Sequence, residues 1–416
     1  SSWSSSLGLA AGAAAAGGRG VMESQEAEAG RELPALEITV EEALRGELLL
    51  VDVRAPSEFA EDHIPGATSV PLFSDRERAV VGTLFRHLGE SEARRWGGER
   101  VHERLEPFFD EVRLALQLPR EPEAPADPRP RVICCARGGE RSGAVTALLR
   151  ERGHPVRRLA GGYRSYREGI RARLGTLGVP GPVLLDGLTG SGKTAVLREV
   201  ARLRPRQVLD LEGLARHRSS LLGDIGLVPA SQKEFESGLV AAVDRLEGPW
   251  TLIEAESRRV GDREIPSSLY REMRAARRVE LAATTAQRVA LLHADYLGVD
   301  RGSDRPPEAA IEAVCERISA LVAYPRVGEA GVRWLRERLR SGAIDEAVRF
   351  LLEEHYDPRY RHGMVKGAPA LRLDRSGLGA GSIEESARRL IDWLDAEVGA
   401  GLPPQLPART NPCHGA

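Results

Sequence analysis

The sequence predicts an α/β protein with open parallel sheets and a helical C-terminal part, and three observations favour this class. Apolar runs of strand length occur at residues 48–53, 131–135 and 183–186. Each run is followed by a polar or Gly-rich turn and then by a helical pattern, an alternation typical of parallel α/β sheets. Beyond residue 306, apolar residues recur at three- and four-residue spacing, which indicates helices.

Composition shifts divide the chain into four segments. We interpret residues 1–35 as a disordered leader or tag-like tail. The first folded domain spans residues 36–176 and ends in a cluster of Gly and Pro. A second α/β domain covers residues 177–305, and residues 306–416 form a helical C-terminal part with a tail.

The elements of each domain follow from local patterns. In the first domain, the predicted strands are 37–40, 48–53, 69–71, 131–135 and 156–159, and the predicted helices are 40–44, 56–60, 75–117 and 142–152. In the rest of the chain, the predicted strands are 183–186, 208–211 and 251–254, and the predicted helices are 193–201, 308–321, 327–340, 343–354 and 382–397. Breaks in the long helical stretch are expected near Gly89 and at Gly97 and Gly98, because Gly is a poor helix former. Five prolines between residues 119 and 130 predict a loop.

Length and charge limit the function classes. The chain has 416 residues, enough for two or three domains, and 29% of them are charged. The net charge of -2 excludes a general polycation, so any nucleic-acid site must be a local basic face. The sequence has no apolar run of the roughly 18 residues that a membrane span needs, so we expect no membrane partner.

Cysteine usage indicates a reducing compartment. Cys134 and Cys135 are adjacent, whereas Cys315 and Cys413 lie far along the chain. This spacing forms neither a disulfide framework nor a CxxC zinc pattern. We therefore expect a cytoplasmic protein.

The turn after the strand at 131–135 has the features of a reactive cysteine site. Cys135 begins the turn, and Gly138 and Gly139 let the backbone curl around a bound group. Amide N–H groups at the start of the next helix, together with Arg137 and Arg141, favour a thiolate and would stabilise an anionic persulfide or selenide. We therefore predict that Cys135, Arg137 and Arg141 form a catalytic group.

Two residues close to Cys135 bear on its chemistry. Cys134 should point to the other face of the strand, which favours a structural role and leaves a resolving thiol as the alternative. Glu140 would oppose thiolate formation if it pointed inward, so we expect it to point outward or to pair with an arginine.

Residues 187–194, GLTGSGKT, match the pattern G-x-x-x-x-G-K-[ST] between a predicted strand and a predicted helix. In this context backbone N–H groups hold phosphate oxygens, a lysine neutralises their charge, and Thr194 is a candidate Mg²⁺ ligand. The predicted phosphate-binding residues are Gly187, Gly190, Ser191, Gly192, Lys193 and Thr194. Their ligand stays open between ATP, another diphosphate and phosphate alone.

Acids and arginines add to the two sites. Glu254 and Glu256 follow the strand at 251–254 and are candidate Walker-B-like acids, with exposed strand-end acids as the alternative. Arginines cluster around the cysteine turn and again after Glu256, and such clusters can track phosphates, although solvated helix faces explain them equally well. The selected RNA-contact candidates are Arg164, Arg167, Arg258 and Arg259.

Several motifs of the first domain resemble those of the rhodanese-like domain in order and spacing. They are residues 52–54 (DVR), 56–59 (PSEF), 63–67 (HIPGA), 135–142 (CARGGERS) and 161–163 (GGY). In that family the cysteine carries sulfur or selenium in a persulfide-type intermediate. The resemblance therefore implies this role for Cys135 and not for Cys134.

The second domain extends the resemblance. The motifs at 209–215 (LDLEGLA), 217–218 (HR), 231–236 (SQKEFE), 254–258 (EAESR) and 355–358 (HYDP) accompany the P-loop. Over about residues 36–360 the chain resembles the tRNA 2-selenouridine synthase family, except at Cys134 and Glu140. The resemblance implies a rhodanese-like open sheet followed by a P-loop NTPase-like parallel-sheet domain with a helical C-terminal part.

The resemblance also implies a reaction. Selenium would replace sulfur at C2 of wobble 2-thiouridine in certain tRNAs, with selenophosphate as the donor. An S-geranyl-2-thiouridine intermediate would come from geranyl diphosphate, which a P-loop can hold without an adenine pocket. Mg²⁺ is then a candidate cofactor, no prosthetic group is expected, and selenophosphate synthase is the implied protein partner.

Two other functions stay open. A P-loop ATPase or kinase with a rhodanese-like sulfur-sensing module would hydrolyse ATP, but no base-specificity motif can be identified. A non-catalytic RNA-binding protein would use the cysteine turn only to bind anions, and it would not need Cys135.

Overall fold

The computed structural model describes residues 34–120, 128–297, 308–359, 368–375 and 382–398. The chain divides into two compact units, the first ending at Arg171 and the second beginning at Ala172. This division falls inside the helix Gly162–Gly175, before the predicted boundary at residue 176. Nearly all of the predicted leader, Cys413 and residues 121–127 of the Pro-rich loop lie outside the described residues.

The first unit contains a five-stranded parallel sheet with the strand order β1-β5-β4-β2-β3. Its strands are β1 (Glu37–Ile38), β2 (Leu49–Asp52), β3 (Ala67–Ser69), β4 (Arg131–Cys134) and β5 (Val156–Leu159). All residues of β4 are buried, as expected for a central strand of a parallel sheet. The turn that carries Cys135 therefore begins at the carboxyl end of the central strand.

The helices of this unit are α1 (Val40–Leu44), α2 (Pro56–Glu61), α3 (Asp75–Leu88), α4 (Glu90–His102), α5 (Leu105–Ala115), α6 (Glu140–Glu151) and α7 (Gly162–Gly175). The predicted break at Gly97 and Gly98 is wrong, because α4 continues through both residues. A glycine costs a helix only about 1 kcal/mol, and Gly97 is buried against the rest of the unit. An ion pair of 3.2 Å between Arg95 and Glu99 also spans the two glycines.

The second unit contains another five-stranded parallel sheet, with the order β12-β11-β6-β8-β7. Its strands are β6 (Pro182–Asp186), β7 (Val208–Leu209), β8 (Thr251–Glu254), β11 (Arg277–Ala282) and β12 (Leu371–Asp374), and β9 (Arg259–Val260) and β10 (Arg263–Glu264) form a separate antiparallel pair. Trp250, fully buried, packs in the core beside this sheet with Leu185 and Leu252. The sheet includes two strands, β11 and β12, that the sequence patterns do not predict.

The helices of this unit are α8 (Lys193–Leu203), α9 (Leu211–Ala215), α10 (Gln232–Asp244), α11 (Ser267–Ala275), α12 (Thr285–Leu297), α13 (Glu308–Arg317), α14 (Gly328–Ser341), α15 (Ile344–Leu351) and α16 (Ser382–Trp393). A 3₁₀ turn (Ile318–Ala323) follows α13, and π-helical turns (Leu352–Tyr356 and Leu394–Val398) follow α15 and α16. No helix within the described ranges is long and apolar enough to cross a membrane. The predicted fold class, parallel α/β sheets with a helical C-terminal part, is confirmed.

Candidate active sites

Cys135 directly follows β4 at the carboxyl edge of the first sheet. The residue is 3% exposed, and its Sγ lies 3.1 Å from the Oγ of Ser142 in the first turn of α6. A hydroxyl group and the N-terminus of a helix both favour negative charge on a nearby sulfur. The geometry fits the thiolate cradle that the sequence predicts.

Two glycine turns interlock around this cysteine. Gly138 has a φ of 61° and Gly162 a φ of 59°. A Cβ on Gly162 would collide with the carbonyl oxygen of Cys135 and the amide nitrogen of Gly138. The amide of Tyr163 donates to the carbonyl of Cys135 at 2.9 Å and closes the turn. The cradle therefore depends on a backbone approach that excludes every side chain at residue 162.

Motifs from distant parts of the sequence meet beside this turn. Arg54 forms a buried ion pair of 2.7 Å with Asp52 and donates to the carbonyl of Asp62 at 2.7 Å. Its guanidinium lies 3.9 Å from the ring centroid of Tyr163, whose hydroxyl donates to the Asp62 carboxylate at 2.7 Å. Burial and this hydrogen bond raise the pKa of Tyr163. The DVR and GGY motifs thus stabilise each other through Asp62.

The predicted arginines contribute unequally to the charge of this turn. Arg141 donates to Glu58 at 3.0 Å, so a carboxylate compensates its charge. Arg137 is exposed and forms no ion pair with any other described residue. Glu140 is exposed and pairs with Arg94 at 2.8 Å, which agrees with the sequence expectation. Of the two arginines, Arg137 is the one with an uncompensated charge.

Cys134 lies in a different environment from Cys135, although both are buried. It is fully buried, and its thiol donates to the carbonyl oxygen of Cys135 at 3.3 Å. Burial raises the pKa of Cys134 well above its ordinary value, and Asp52 adds to this effect. A thiol that stays protonated is a poor nucleophile, so the structure favours the structural role for Cys134.

The P-loop joins β6 to α8 in the second unit, as the sequence predicts. Gly187, Gly190 and Gly192 have φ values of 153°, 76° and 91°. A Cβ on Gly190 would lie 2.9 Å from the carbonyl oxygen of Arg288, so the loop is packed too tightly for a side chain there. Ser191 is 1% exposed, and its Oγ has no hydrogen-bond partner within the described residues. An orphaned hydroxyl in a loop of this type suits an anionic oxygen as its partner.

Lys193 and Thr194, the first residues of α8, both contact Glu254 at the end of β8. The Lys193 Nζ donates to the carbonyl of Gly187 at 2.8 Å and lies 3.7 Å from Oε1 of Glu254. The Thr194 hydroxyl donates to Oε2 of Glu254 at 3.0 Å. Glu254 is 4% exposed and occupies the place of a Walker-B acid.

Glu254 belongs to a cluster of three carboxylates. Oxygen atoms of Glu212, Glu254 and Glu256 lie within 4.8 Å of one another. Burial and repulsion from Glu254 raise the pKa of Glu212 to about 8, and burial also raises the pKa values of Glu254 and Glu256. Acids crowded in this way either keep protons or bind a cation.

Mg²⁺ fits this donor set. It prefers oxygen ligands and usually takes one or two carboxylates together with substrate phosphates. Thr194 and Glu254, adjacent to the P-loop, are the residues that would hold it, and Glu212 lies 3.3 Å from the Thr194 hydroxyl.

Two buried arginines hold the P-loop through its carbonyl groups. Arg288 donates to the carbonyl of Thr189 at 2.8 Å and forms an ion pair with Asp357, with one contact of 3.0 Å. Arg375 follows β12 and donates to the carbonyl of Ser191 at 2.7 Å. The P-loop is thereby fixed to the helical segment after α15 and to the edge of the sheet.

A cavity of about 840 Å³ adjoins the P-loop within the second unit. Thr189 and Glu256 contribute polar groups to its wall, whereas Leu184 and Met273 contribute apolar surface and Tyr324 an aromatic ring. This volume and mixture of surfaces are typical of a small-molecule site.

The RNA-contact candidates fall into two groups. Arg167 is 6% exposed, because it lies with Tyr166 on the face of α7 that packs inward, and this burial disfavours Arg167 as an RNA contact. Arg164 is exposed and pairs with Glu168 at 2.9 Å. The other two candidates, Arg258 and Arg259, are also exposed, and Arg259 lines the cavity.

Three residues of the second site are missing from the sequence prediction. Glu212 carries a usable signal, because it lies shortly after a strand, where parallel sheets place functional acids. Arg288 and Arg375 carry no local signal, since their partners in the P-loop lie far away in sequence.

Together these two sites define a class of protein in which a rhodanese-like cysteine domain is joined to a P-loop domain. A model of the rhodanese-like domain matches residues 39–168, and a model described as the tRNA 2-selenouridine synthase AAA domain matches residues 181–374. Proteins of Salmonella paratyphi A and Salmonella newport, each named tRNA 2-selenouridine synthase, are 33% identical over 344 residues. The alignments cover 77% of this chain and 90% of each relative. The chain belongs to the tRNA 2-selenouridine synthase family.

A solved structure also shows similarity. The N-terminal domain of a protein from Clostridium difficile 630, described as ATP/GTP binding, is 35% identical and covers 32% of this chain and 97% of its own. Its TM-score is 0.28, so it contributes nothing to the assignment.

Proposed function

We propose that the protein replaces sulfur by selenium at C2 of 2-thiouridine in tRNA, with selenophosphate as the selenium donor. The reaction runs through an S-geranyl-2-thiouridine intermediate that is made from geranyl diphosphate. The named relatives support the overall reaction. The tRNA substrate makes the cytoplasm the expected compartment, and selenophosphate synthase the expected supplier of the donor.

The observation that carries the geranyl step is the joint presence of a P-loop and a partly apolar cavity in one unit. Thr189 belongs to both the loop and the cavity wall. A prenyl diphosphate needs this combination, because its head is a diphosphate and its tail is a hydrocarbon. Leu184 and Met273 supply apolar surface on which the tail can pack.

The P-loop residues bind the leaving diphosphate. Lys193 neutralises its charge, and the free hydroxyl of Ser191 donates to an oxygen of the anion. Mg²⁺ held by Thr194 and Glu254 would neutralise further charge on the departing diphosphate.

Cys135 serves the selenium step in the first unit. Its position beside Ser142 and at the start of α6 favours an anionic sulfur or selenium there. Three exposed arginines, Arg164, Arg258 and Arg259, are the proposed contacts to tRNA phosphates.

Mass spectrometry of nucleosides tests the proposal. The full chain is incubated with 2-thiouridine tRNA, with geranyl diphosphate and selenophosphate added separately and together. We expect S-geranyl-2-thiouridine with the first reagent and 2-selenouridine with both. Lys193→Ala should lower the rate of geranylation by about 10²-fold or more, because it removes a charge from the leaving group.

The controls separate the two steps. Arg198→Ala, an exposed arginine on the same helix as Lys193, should geranylate normally. Cys135→Ser should keep geranylation and lose selenation, whereas Cys134→Ser should retain both. Unmodified tRNA together with ATP hydrolysis would favour the alternative, an ATPase or kinase with a sulfur-sensing module.

A further inference from the structure

One polar side chain in the cavity has no part in the sites described above. His355 lines the cavity and is 5% exposed. Its ring meets Tyr324 and Tyr356 edge-on, at centroid distances of 4.7 and 4.9 Å. Neither ring nitrogen has a hydrogen-bond partner in the part of the chain that the structure describes. The imidazole nitrogens are therefore available to a ligand in the cavity.

Packing alone does not account for this histidine. Its ring nitrogens are accessible from the cavity and are not sealed within the core, so a ligand there can use them, whereas a phenylalanine would pack equally well and offer no polar atom. Burial, together with the nearby Arg359, lowers the pKa of His355 to about 4. The ring is therefore neutral at pH 7 and can accept a proton.

Local structure fixes His355 relative to the P-loop. The residue lies in the π-helical turn that follows α15, and such turns are frequent at functional sites. Two residues later, Asp357 is paired with Arg288, which also binds the carbonyl of Thr189 in the P-loop. The histidine and the loop that would hold the diphosphate thus belong to one connected framework around the cavity.

Prenylation of a 2-thiouracil at sulfur requires a proton acceptor. The sulfur forms a bond to C1 of the prenyl group, and the C1–O bond breaks with its electron pair leaving on the diphosphate. The C2–S bond becomes single, a C2=N3 double bond forms, and N3 loses its proton. The P-loop accounts for the leaving group, but no residue described so far receives this proton.

We propose that His355 is the catalytic base that takes the N3 proton of the thiouracil ring during prenyl transfer, an inference that rests on the proposed function. The thiouracil ring can pack against Tyr324 and Tyr356. A weak base is sufficient, because positive charge develops on the thiouracil ring as its sulfur is alkylated. The imidazolium then releases this proton to water, because a group with a pKa of about 4 is neutral at pH 7.

Single-turnover geranylation of 2-thiouridine tRNA by the full chain tests this role. His355→Ala should slow the reaction by about 10²- to 10⁴-fold, the usual contribution of a general base. Free imidazole should restore part of the rate, since the truncated side chain leaves space for it. The affinity for inorganic pyrophosphate should not change. His293→Ala is the matched control, because His293 lies in the same unit, outside the cavity wall.

His355→Phe guards against misfolding, because it keeps the aromatic packing. This variant should be as slow as the alanine variant, and imidazole should not rescue it. A wild-type rate in either variant, or a slow alanine variant that imidazole leaves unchanged, would overturn the role of His355. If the wild-type protein itself forms no S-geranyl-2-thiouridine, the proposed function fails and this inference fails with it.

Discussion

At the residue scale, neighbouring side chains of one type have different chemistry because their surroundings differ. Cys134 is closed off within the sheet and keeps its proton, whereas Cys135 lies beside Ser142 at the start of α6. The alternation of a strand and the Gly-rich turn are enough to predict this difference from sequence. The role of His355 cannot be predicted in the same way, since the cavity and the contact with Tyr324 exist only in the folded chain.

The pKa of His355 predicts a dependence of stability on pH. In the folded chain its pKa is about 4, against an ordinary value of 6.5, so the unfolded chain binds more protons between these values. The free energy of unfolding should therefore fall as the pH is lowered from 6.5 towards 4. In urea unfolding measured across this range, His355→Phe should lose less stability than the wild type. If the free energy of unfolding depended on pH in the same way in both proteins, His355 would not be the cause of this dependence.

At the element scale, the P-loop illustrates what a motif does and does not predict. Its sequence predicts the strand, the turn and the helix, because positive φ values require glycine at fixed positions. Its supports are not predicted, since Arg288 and Arg375 reach it from elements far along the chain. Likewise, β11 begins with two arginines, and only Val279 and Leu281 mark its buried face.

The ion pair between Arg288 and Asp357 should be important for the stability of the second unit. Asp357→Asn leaves the guanidinium of Arg288, 4% exposed, without its counter-charge, which should cost about 3 to 5 kcal/mol in urea unfolding. Replacing both residues by Met and Leu should cost less than Asp357→Asn alone. Glu346→Gln, which breaks an exposed pair with Arg338, should cost less than about 1 kcal/mol. Equal losses for Asp357→Asn and Glu346→Gln would contradict this account.

At the scale of the whole molecule, the order of motifs predicts two units. The second unit extends further along the chain than the composition of the sequence indicates. The helical segment after residue 306 does not form a separate body, because the second unit includes it. Its last described strand, β12, pairs with β11 at the edge of the P-loop sheet. A four-residue strand with one buried side chain, Leu373, is too weak a pattern to stand out among helices.

Pyrophosphate should stabilise the unit that contains the P-loop. A ligand at 100 times its dissociation constant adds about 2.7 kcal/mol to the stability of the state that binds it. In calorimetry with Mg²⁺ and inorganic pyrophosphate, the transition of the second unit should therefore move to higher temperature. Lys193→Ala should abolish the shift, and Arg198→Ala should preserve it. An equal shift in the Lys193 variant would show that the anion binds elsewhere.

The contact between Arg375 and Ser191 joins residues that are 184 positions apart, and it has a consequence for biosynthesis. Ribosomes complete every strand of the first sheet before they reach the phosphate loop, and they make β12 only much later. Because domains generally fold during synthesis from the N-terminus, the cysteine cradle can form early. The P-loop cannot complete its packing until Arg375 has been synthesised. A message truncated before the codon for Leu371 would therefore yield a folded cysteine unit and an incomplete P-loop sheet.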